Sequence, residues 1–174
     1  MILIAKDSDT DYYLIDEARD LEDFRVGEFN FFHLYGIADY RESFAAWLRR
    51  FPRPTFIVGV KDRTIISFIY IDAWEELPFV VNVLRAQETV EKLRGKKIGY
   101  KMFLLGIYLT PEYMITKPLT MESKRFYTSL GFIPMHTVPM FENYHQIVGY
   151  LLLPNHKKRE HIEKIREFFT EFNI

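Results

Sequence analysis

Cysteine is absent from this chain of 174 residues, so disulfide staples, thiolate zinc sites and cysteine nucleophiles are excluded together. Charge of one sign is not in excess either: 23 Lys and Arg stand against 24 Asp and Glu, a formal net charge of -1. Dedicated nucleic-acid binders usually carry a strong positive excess, so the balance argues against nucleic acid as a partner, while a local basic patch stays open. Long hydrophobic runs are missing. Apolar stretches such as residues 147–153 fall far short of the roughly 20 residues that span a bilayer. The apolar start, residues 1–5, meets Lys6 and Asp7 at once, too early for a signal-peptide core. A cytoplasmic protein with no membrane partner is expected. No Gly-x-Ser-x-Gly elbow is present, which argues against a serine hydrolase. The five histidines, His33, His136, His145, His156 and His161, lack metal-ligand spacing, so no metal site is expected.

What is present suits a globular domain. Hydrophobic residues make up 48% and charged residues 27%, enough apolar surface for a core. No repeat, low-complexity tract or Gly/Ser linker interrupts the chain, so residues 1–174 read as one domain. Residues 1–6 suit a short first strand. Helical spacing marks residues 14–21, and again 44–50 through Phe44, Trp47 and Leu48, with an aromatic-rich segment at 29–35 between them. Pro52 and Pro54 end that helix. Residues 55–60 and 64–73 are β-branched and aromatic runs across Lys61-Asp62-Arg63, which reads as a hairpin. A third strand spans 79–90, after a loop holding Glu75, Glu76 and Pro78.

The period then changes. Ile98, Met102, Leu105 and Leu109 form one stripe of a helix that Pro111 stops. A poorer strand at 113–119 precedes a helix capped by Thr120, with Phe126 and Leu130 on one face and Gly131 at its end. Residues 132–140 and 144–153 suggest a closing hairpin. An extra C-terminal helix over 155–174 carries Ile162, Ile165, Phe168, Phe169 and Phe172, a stripe that its own sheet or a second subunit in a homodimer would cover. The fold class is α+β (mixed α/β).

The clearest charge anomaly lies between Lys92 and Lys101, where Lys92, Arg94, Lys96, Lys97 and Lys101 occur with no acidic residue. The run sits between a strand and a helix and contains Gly95 and Gly99. Unpaired N–H groups and the positive end of the dipole favour an anion at a helix start, and glycine lets it approach the backbone. Such a loop suits a phosphate or pyrophosphate; a solvated basic helix start is the plainer alternative.

Arg94-Gly-Lys-Lys-Ile-Gly99 follows a strand and opens a helix, and Arg125-Phe-Tyr-Thr-Ser-Leu-Gly-Phe132 comes about thirty residues later. The order resembles the GNAT superfamily of N-acetyltransferases, whose loop reads Gln/Arg-x-x-Gly-x-Gly/Ala and whose later helix carries Phe-Tyr-x-x-Leu-Gly-Phe. The resemblance covers about residues 55–153. Lys97 replaces the middle glycine of the loop, and Thr120 and Ser123 stand where many members have Asn and Ala. The resemblance implies a central, mostly antiparallel twisted sheet flanked by helices, with acetyl-coenzyme A between splayed middle strands. Glu88, Thr89 and Val90 would meet the pantetheine and thioester end. Arg94, Gly95, Lys96, Lys97, Ile98, Gly99 and Tyr100 would surround the pyrophosphate.

The implied reaction is direct acetyl transfer to a primary amine. Tyr127 matches the family tyrosine that protonates the departing sulfur, with a packing role as its alternative. Glu88 is the first choice as base, with Glu75 and Glu76 as rivals and a water chain as a further route. The acceptor is a small molecule or a protein: an N-terminus, a lysine, a polyamine, an amino sugar or a metabolite amine. Two other readings stay open. One is a non-catalytic acyl-coenzyme A binding or regulatory module. The other is a nucleotide or nucleic-acid phosphate site in an unrelated fold.

Overall fold

The computed structural model describes residues 1–31, 40–74 and 80–174. Among them, ten strands form one sheet: β1 (Ile2–Asp7), β2 (Thr10–Leu14), β3 (Arg25–Val26), β4 (Thr55–Lys61), β5 (Thr64–Trp74), β6 (Val81–Thr89), β7 (Tyr113–Thr116), β8 (Ile133–Pro134), β9 (Leu151–Leu153) and β10 (Glu171–Phe172). The order is β10-β1-β2-β4-β5-β6-β7-β9-β8, with β3 beside β5. Neighbours are antiparallel except for the β6–β7 and β3–β5 pairs. Four α-helices have both ends among the described residues: α1 (Tyr40–Leu48), α2 (Ile98–Leu109), α3 (Met121–Ser129) and α4 (Asn155–Glu163). No described helix is long and apolar enough to cross a membrane.

The β4–β5 hairpin forms as its β-branched runs predict. Its turn residues Asp62 and Arg63 both have positive φ, 50° and 58°, the sense that matches the twist of a two-residue hairpin. β5 is buried along most of its length because both faces are covered. Phe56, Phe68 and Tyr70 meet Phe44 and Trp47 of α1, with Trp47 stacked 4.6 Å from Tyr70. On the other face, Ile69 and Ile71 approach Gly106 of α2 so closely that a Cβ there would lie 2.9 Å from both. α2 is in turn covered by the chain end, which explains why residues beyond its predicted stripe, Phe103 and Leu104 among them, are buried.

Three expectations are corrected. Residues 14–21 do not form an α-helix: β2 ends at Leu14, and a 3-10 turn spans Ala18–Leu21. The Asp20 carboxylate, which accepts from the backbone N–H groups of Asp16 and Glu17, closes that turn. The closing strands are mostly 3-10 turns, leaving β8 and β9 short, because Pro134 and Pro139 cannot donate to a ladder and Gly149 turns at φ 83°. Finally, the single helix expected over 155–174 is α4, a 3-10 turn at Ile165–Phe168, and β10. β10 pairs with the edge strand β1, and the Thr170 and Asn173 N–H groups donate to Lys6 and Ile4 carbonyls. Satisfying those edge groups while packing Phe169 against Tyr12 outweighs continuing the helix. The proposed start of the third strand at Phe79, and aromatic residues 32–35, lie outside the described residues.

Lys158 of α4 is buried, 5% exposed, and its ammonium donates to the carbonyls of Thr110 and Glu112 just beyond the end of α2. A cation there complements the helix dipole, yet burial lowers its pKa from 10.5 to about 8. Lys158→Met leaves both carbonyls without this donor and is expected to cost about 1–3 kcal/mol, measured by urea unfolding. Between about pH 8 and 10.5 the unfolded chain binds more protons at Lys158 than the folded one does. The stability advantage of the parent over Lys158→Met should therefore grow as pH rises through that window.

Candidate active site

β6 lies parallel to β7 for only four pairs, from Val81 opposite Tyr113 to Leu84 opposite Thr116. The Thr116 hydroxyl closes the last of them by donating to the Leu84 carbonyl at 2.9 Å. Beyond it, β6 continues from Arg85 to Thr89 with β5 as its strand partner among the described residues, and on the edge turned from β5 the Thr89 carbonyl accepts from Arg94 Nε at 3.2 Å. Val81, Val83 and Ile115 sit under a second apolar cluster with Phe141 and Ile147, which fills the paired end. The parted end opens into a cleft of about 580 Å³.

A bulge decides which β6 residues face that cleft. Tyr70 pairs with Ala86 and Ile71 with Leu84, so Arg85 is the extra residue, its guanidinium 2.8 Å from Asp72. One inserted residue reverses the alternation beyond it. Gln87 and Thr89 consequently lie opposite Ile69 and Ser67, on the α2 side, and Glu88 lies opposite Phe68, on the α1 side.

Thr89, Arg94, Gly95, Lys97, Ile98, Gly99 and Tyr100 line the cleft; Val90 and Lys96 do not. Val90 is buried, donating its N–H to Ile66, and Lys96 is exposed. Lys92, Arg94, Lys96 and Lys97 are all exposed and make no ion pair among the described residues, whereas Lys101 is bound to Asp7 at 2.5 Å. Lys97 precedes the first turn of α2 with φ 63°, ψ 13°, the left-handed conformation that suits glycine, and no side chain caps the helix. The first N–H groups of α2 are thereby left to whatever enters. Gly99 has ordinary space above it: an added Cβ would lie 3.7 Å from Gln87 Nε2 and 3.8 Å from Thr89 Oγ1.

Across the cleft stands α3, capped as predicted by Thr120, whose side chain and that of Ser123 bond reciprocally with each other's backbone. Gly131 beyond its end has φ 102°. Phe126 and Tyr127 line the cleft from this helix. Tyr127 is 6% exposed, and burial pushes its phenol well above the usual range, so it stays neutral at ordinary pH. Its hydroxyl donates to Gln87 Oε1 at 3.4 Å.

Glu88 lines the same cleft, but its two oxygens accept the backbone N–H groups of Asn30 and Phe31 at 2.6 and 2.8 Å. It clamps these two backbone groups, a geometry that speaks against a free base. Glu75 and Glu76 lie outside the described residues. Sequence reasoning missed Gln87 and Asn30. Period-2 counting back from Thr89 finds Gln87, whereas nothing local marks Asn30.

No protein-family model matches the chain, and no curated protein sequence matches it. Solved structures do. AtaTR bound with acetyl-coenzyme A superposes with a TM-score of 0.58 at 16% identity, over 87% of this chain and 97% of that one. AtaT complexed with acetyl-methionyl-tRNAfMet gives 0.57 at 15%, over 87% and 98%. A KacTA–DNA complex gives 0.60 at 12%, over 89% and 99%. The chain has the GNAT fold, mostly antiparallel with parted middle strands. The exclusion of nucleic acid drawn from net charge is overturned, since neighbours with this fold are found with tRNA and with DNA. Net charge sums the whole surface and is blind to how cations are grouped.

The left-handed Lys97 generates a prediction. Lys97→Gly removes a side chain from a conformation that disfavours it, and is expected to raise stability by up to about 1 kcal/mol in denaturant unfolding. A loss of stability would mean that the native loop is not left-handed at this residue.

Proposed function

We propose that the chain is an acetyl-coenzyme A-dependent N-acetyltransferase that moves the acetyl group directly to a primary amine. The observation that carries this reading is the meeting, in one cleft, of the β6 edge beyond its pairing with β7, the uncapped start of α2 and the neutral Tyr127 hydroxyl. The chemistry of this donor set fits the coenzyme: N–H groups and exposed cations at one end for a pyrophosphate, and an open strand edge for an amide-bearing arm. The AtaTR neighbour bound with acetyl-coenzyme A supports the same ligand.

Arg94, Gly95, Lys97 and the first turn of α2 would hold the phosphates, and the edge from Arg85 to Thr89 the pantetheine. Val90 and Lys96, which do not line the cleft, are assigned no contact in this reading. Acetyl-coenzyme A supplies an acyl group already activated as a thioester. A backbone N–H on the β6 edge beyond the β7 pairing would face the charge that develops at the carbonyl. Tyr127 Oη holds a proton for the departing sulfur, which its burial keeps in place. With Glu88 clamped, the amine gives up its proton to water at the open mouth.

The acceptor is a primary amine on a small molecule or a protein. An amine carried by nucleic acid joins that set, supported by the tRNA complex of AtaT. The capture of Glu88 favours a second reading, a non-catalytic acyl-coenzyme A binding module. Calorimetric titration with acetyl-coenzyme A, coenzyme A and ATP, followed by thiol release in the presence of amines, separates the two. Coenzyme binding with no turnover supports the module.

Two substitutions sharpen the test. Gly99→Asp fits the folded protein but places a carboxylate where phosphate would approach, so affinity for acetyl-coenzyme A should fall at least about 100-fold with the unfolding temperature unchanged. Unaltered affinity would sink the loop assignment. For Tyr127→Phe, kcat should fall about 100-fold while coenzyme affinity stays within about threefold. Parental turnover would make Tyr127 a packing residue.

A further inference from the structure

The geometry points to Gln87 as a positioning residue that aims the proton of Tyr127, an inference that rests on the acetyltransferase reading of the cleft. The Gln87 amide spans the gap between the two helices. Its Nε2 donates to the Gly99 carbonyl at 2.5 Å, and its Oε1 faces Tyr127 Oη at 3.4 Å. A backbone carbonyl can only accept, which fixes the amide with its nitrogen toward α2. The oxygen turned toward Tyr127 can also only accept, so the phenol must be the donor.

Two consequences follow for the acid. First, an acceptor at this place favours the protonated phenol over the phenolate, in the same direction as burial. Second, the proton has a defined resting direction, along the line to β6, instead of a free rotor. At 3.4 Å the bond is long and costs little to leave, so the hydroxyl can turn to a departing thiolate and does not stay locked. Gln87 reaches this place only because the Arg85 bulge turns it to the α2 side. The amide also ties the acid to the first turn of α2, the turn assigned to the phosphates, so a disturbance at one end of the cleft is felt at the other.

The test is a double-mutant cycle of Gln87→Met and Tyr127→Phe. Methionine keeps the length of the side chain and removes both polar atoms. Turnover is read as coenzyme A thiol released from acetyl-coenzyme A with a peptide N-terminus, a lysine peptide or spermidine as acceptor, and a chain without cysteine contributes no thiol background. Gln87→Met should lower kcat about tenfold in the parent and less than about twofold beside Tyr127→Phe, because its effect passes through the phenol. Equal losses in both backgrounds would overturn the inference. A second readout needs no turnover: in the ligand-free protein at neutral pH, the Tyr127 hydroxyl proton should exchange with water faster in Gln87→Met than in the parent, because it loses its acceptor. An unchanged exchange rate would also overturn the inference. If the parent releases no thiol with any amine while the exchange rate changes, the acetyltransferase reading fails and the Gln87–Tyr127 linkage stands.

Discussion

Asp72 accepts the Arg85 guanidinium at 2.8 Å, lies 3.5 Å from Arg50, and receives the Tyr70 hydroxyl at 3.4 Å. These contacts hold one extra residue in β6. A nearly buried carboxylate with a cation beside it keeps the bulge where it is, because moving Arg85 back into register would strip that charge of its nearest partner. The placement of every side chain beyond the bulge depends on it, and so does the division of labour in the cleft: Gln87 and Thr89 toward the phosphate helix, Glu88 toward the clamp on Asn30.

The parted strands are the second consequence of sheet geometry. β7 follows β6 for four pairs, and the short β9 and β8 continue the sheet on its far side. The apolar cluster around Phe141 fills the paired end, and the β6 edge beyond its β7 pairing lies where α2 and α3 line the cleft. A cleft with backbone groups on one wall and a helix start on another needs few side chains to recognise an anionic, amide-bearing ligand. This is why Lys97 can stand in a glycine position without closing the site: its backbone adopts the left-handed turn, and its side chain is exposed.

α2 is held at both ends by α4. Lys158 serves the carbonyls beyond its C-terminus, and at its first turn Tyr100 Oη lies 2.8 Å from His161 Nδ1, whose Nε2 is 2.7 Å from the Leu130 carbonyl at the end of α3. That carbonyl can only accept, so Nε2 carries a hydrogen and the ring joins both helices that flank the cleft. The chain end thus does more than cover apolar surface: it fixes the helix start against which an anion would rest.

The β4–β5 hairpin, α2, the Thr120 cap and the order of the two motifs were legible in the sequence, because periodicity, turn chemistry and capping act over a few neighbouring residues. The basic loop was legible for the same reason. Other features were settled only between distant segments. Residues 14–21 carry helical spacing, yet strand pairing and an aspartate-closed turn took precedence. The chain end has the pattern of one helix, yet the open edge of β1 drew residues 171–172 into the sheet. Glu88 was chosen as base by its position on the central strand, and the bulge turned it to the clamp while bringing Gln87 to Tyr127. Strand register is a property of two chains side by side, and no local pattern along one of them encodes where the partner inserts or omits a residue.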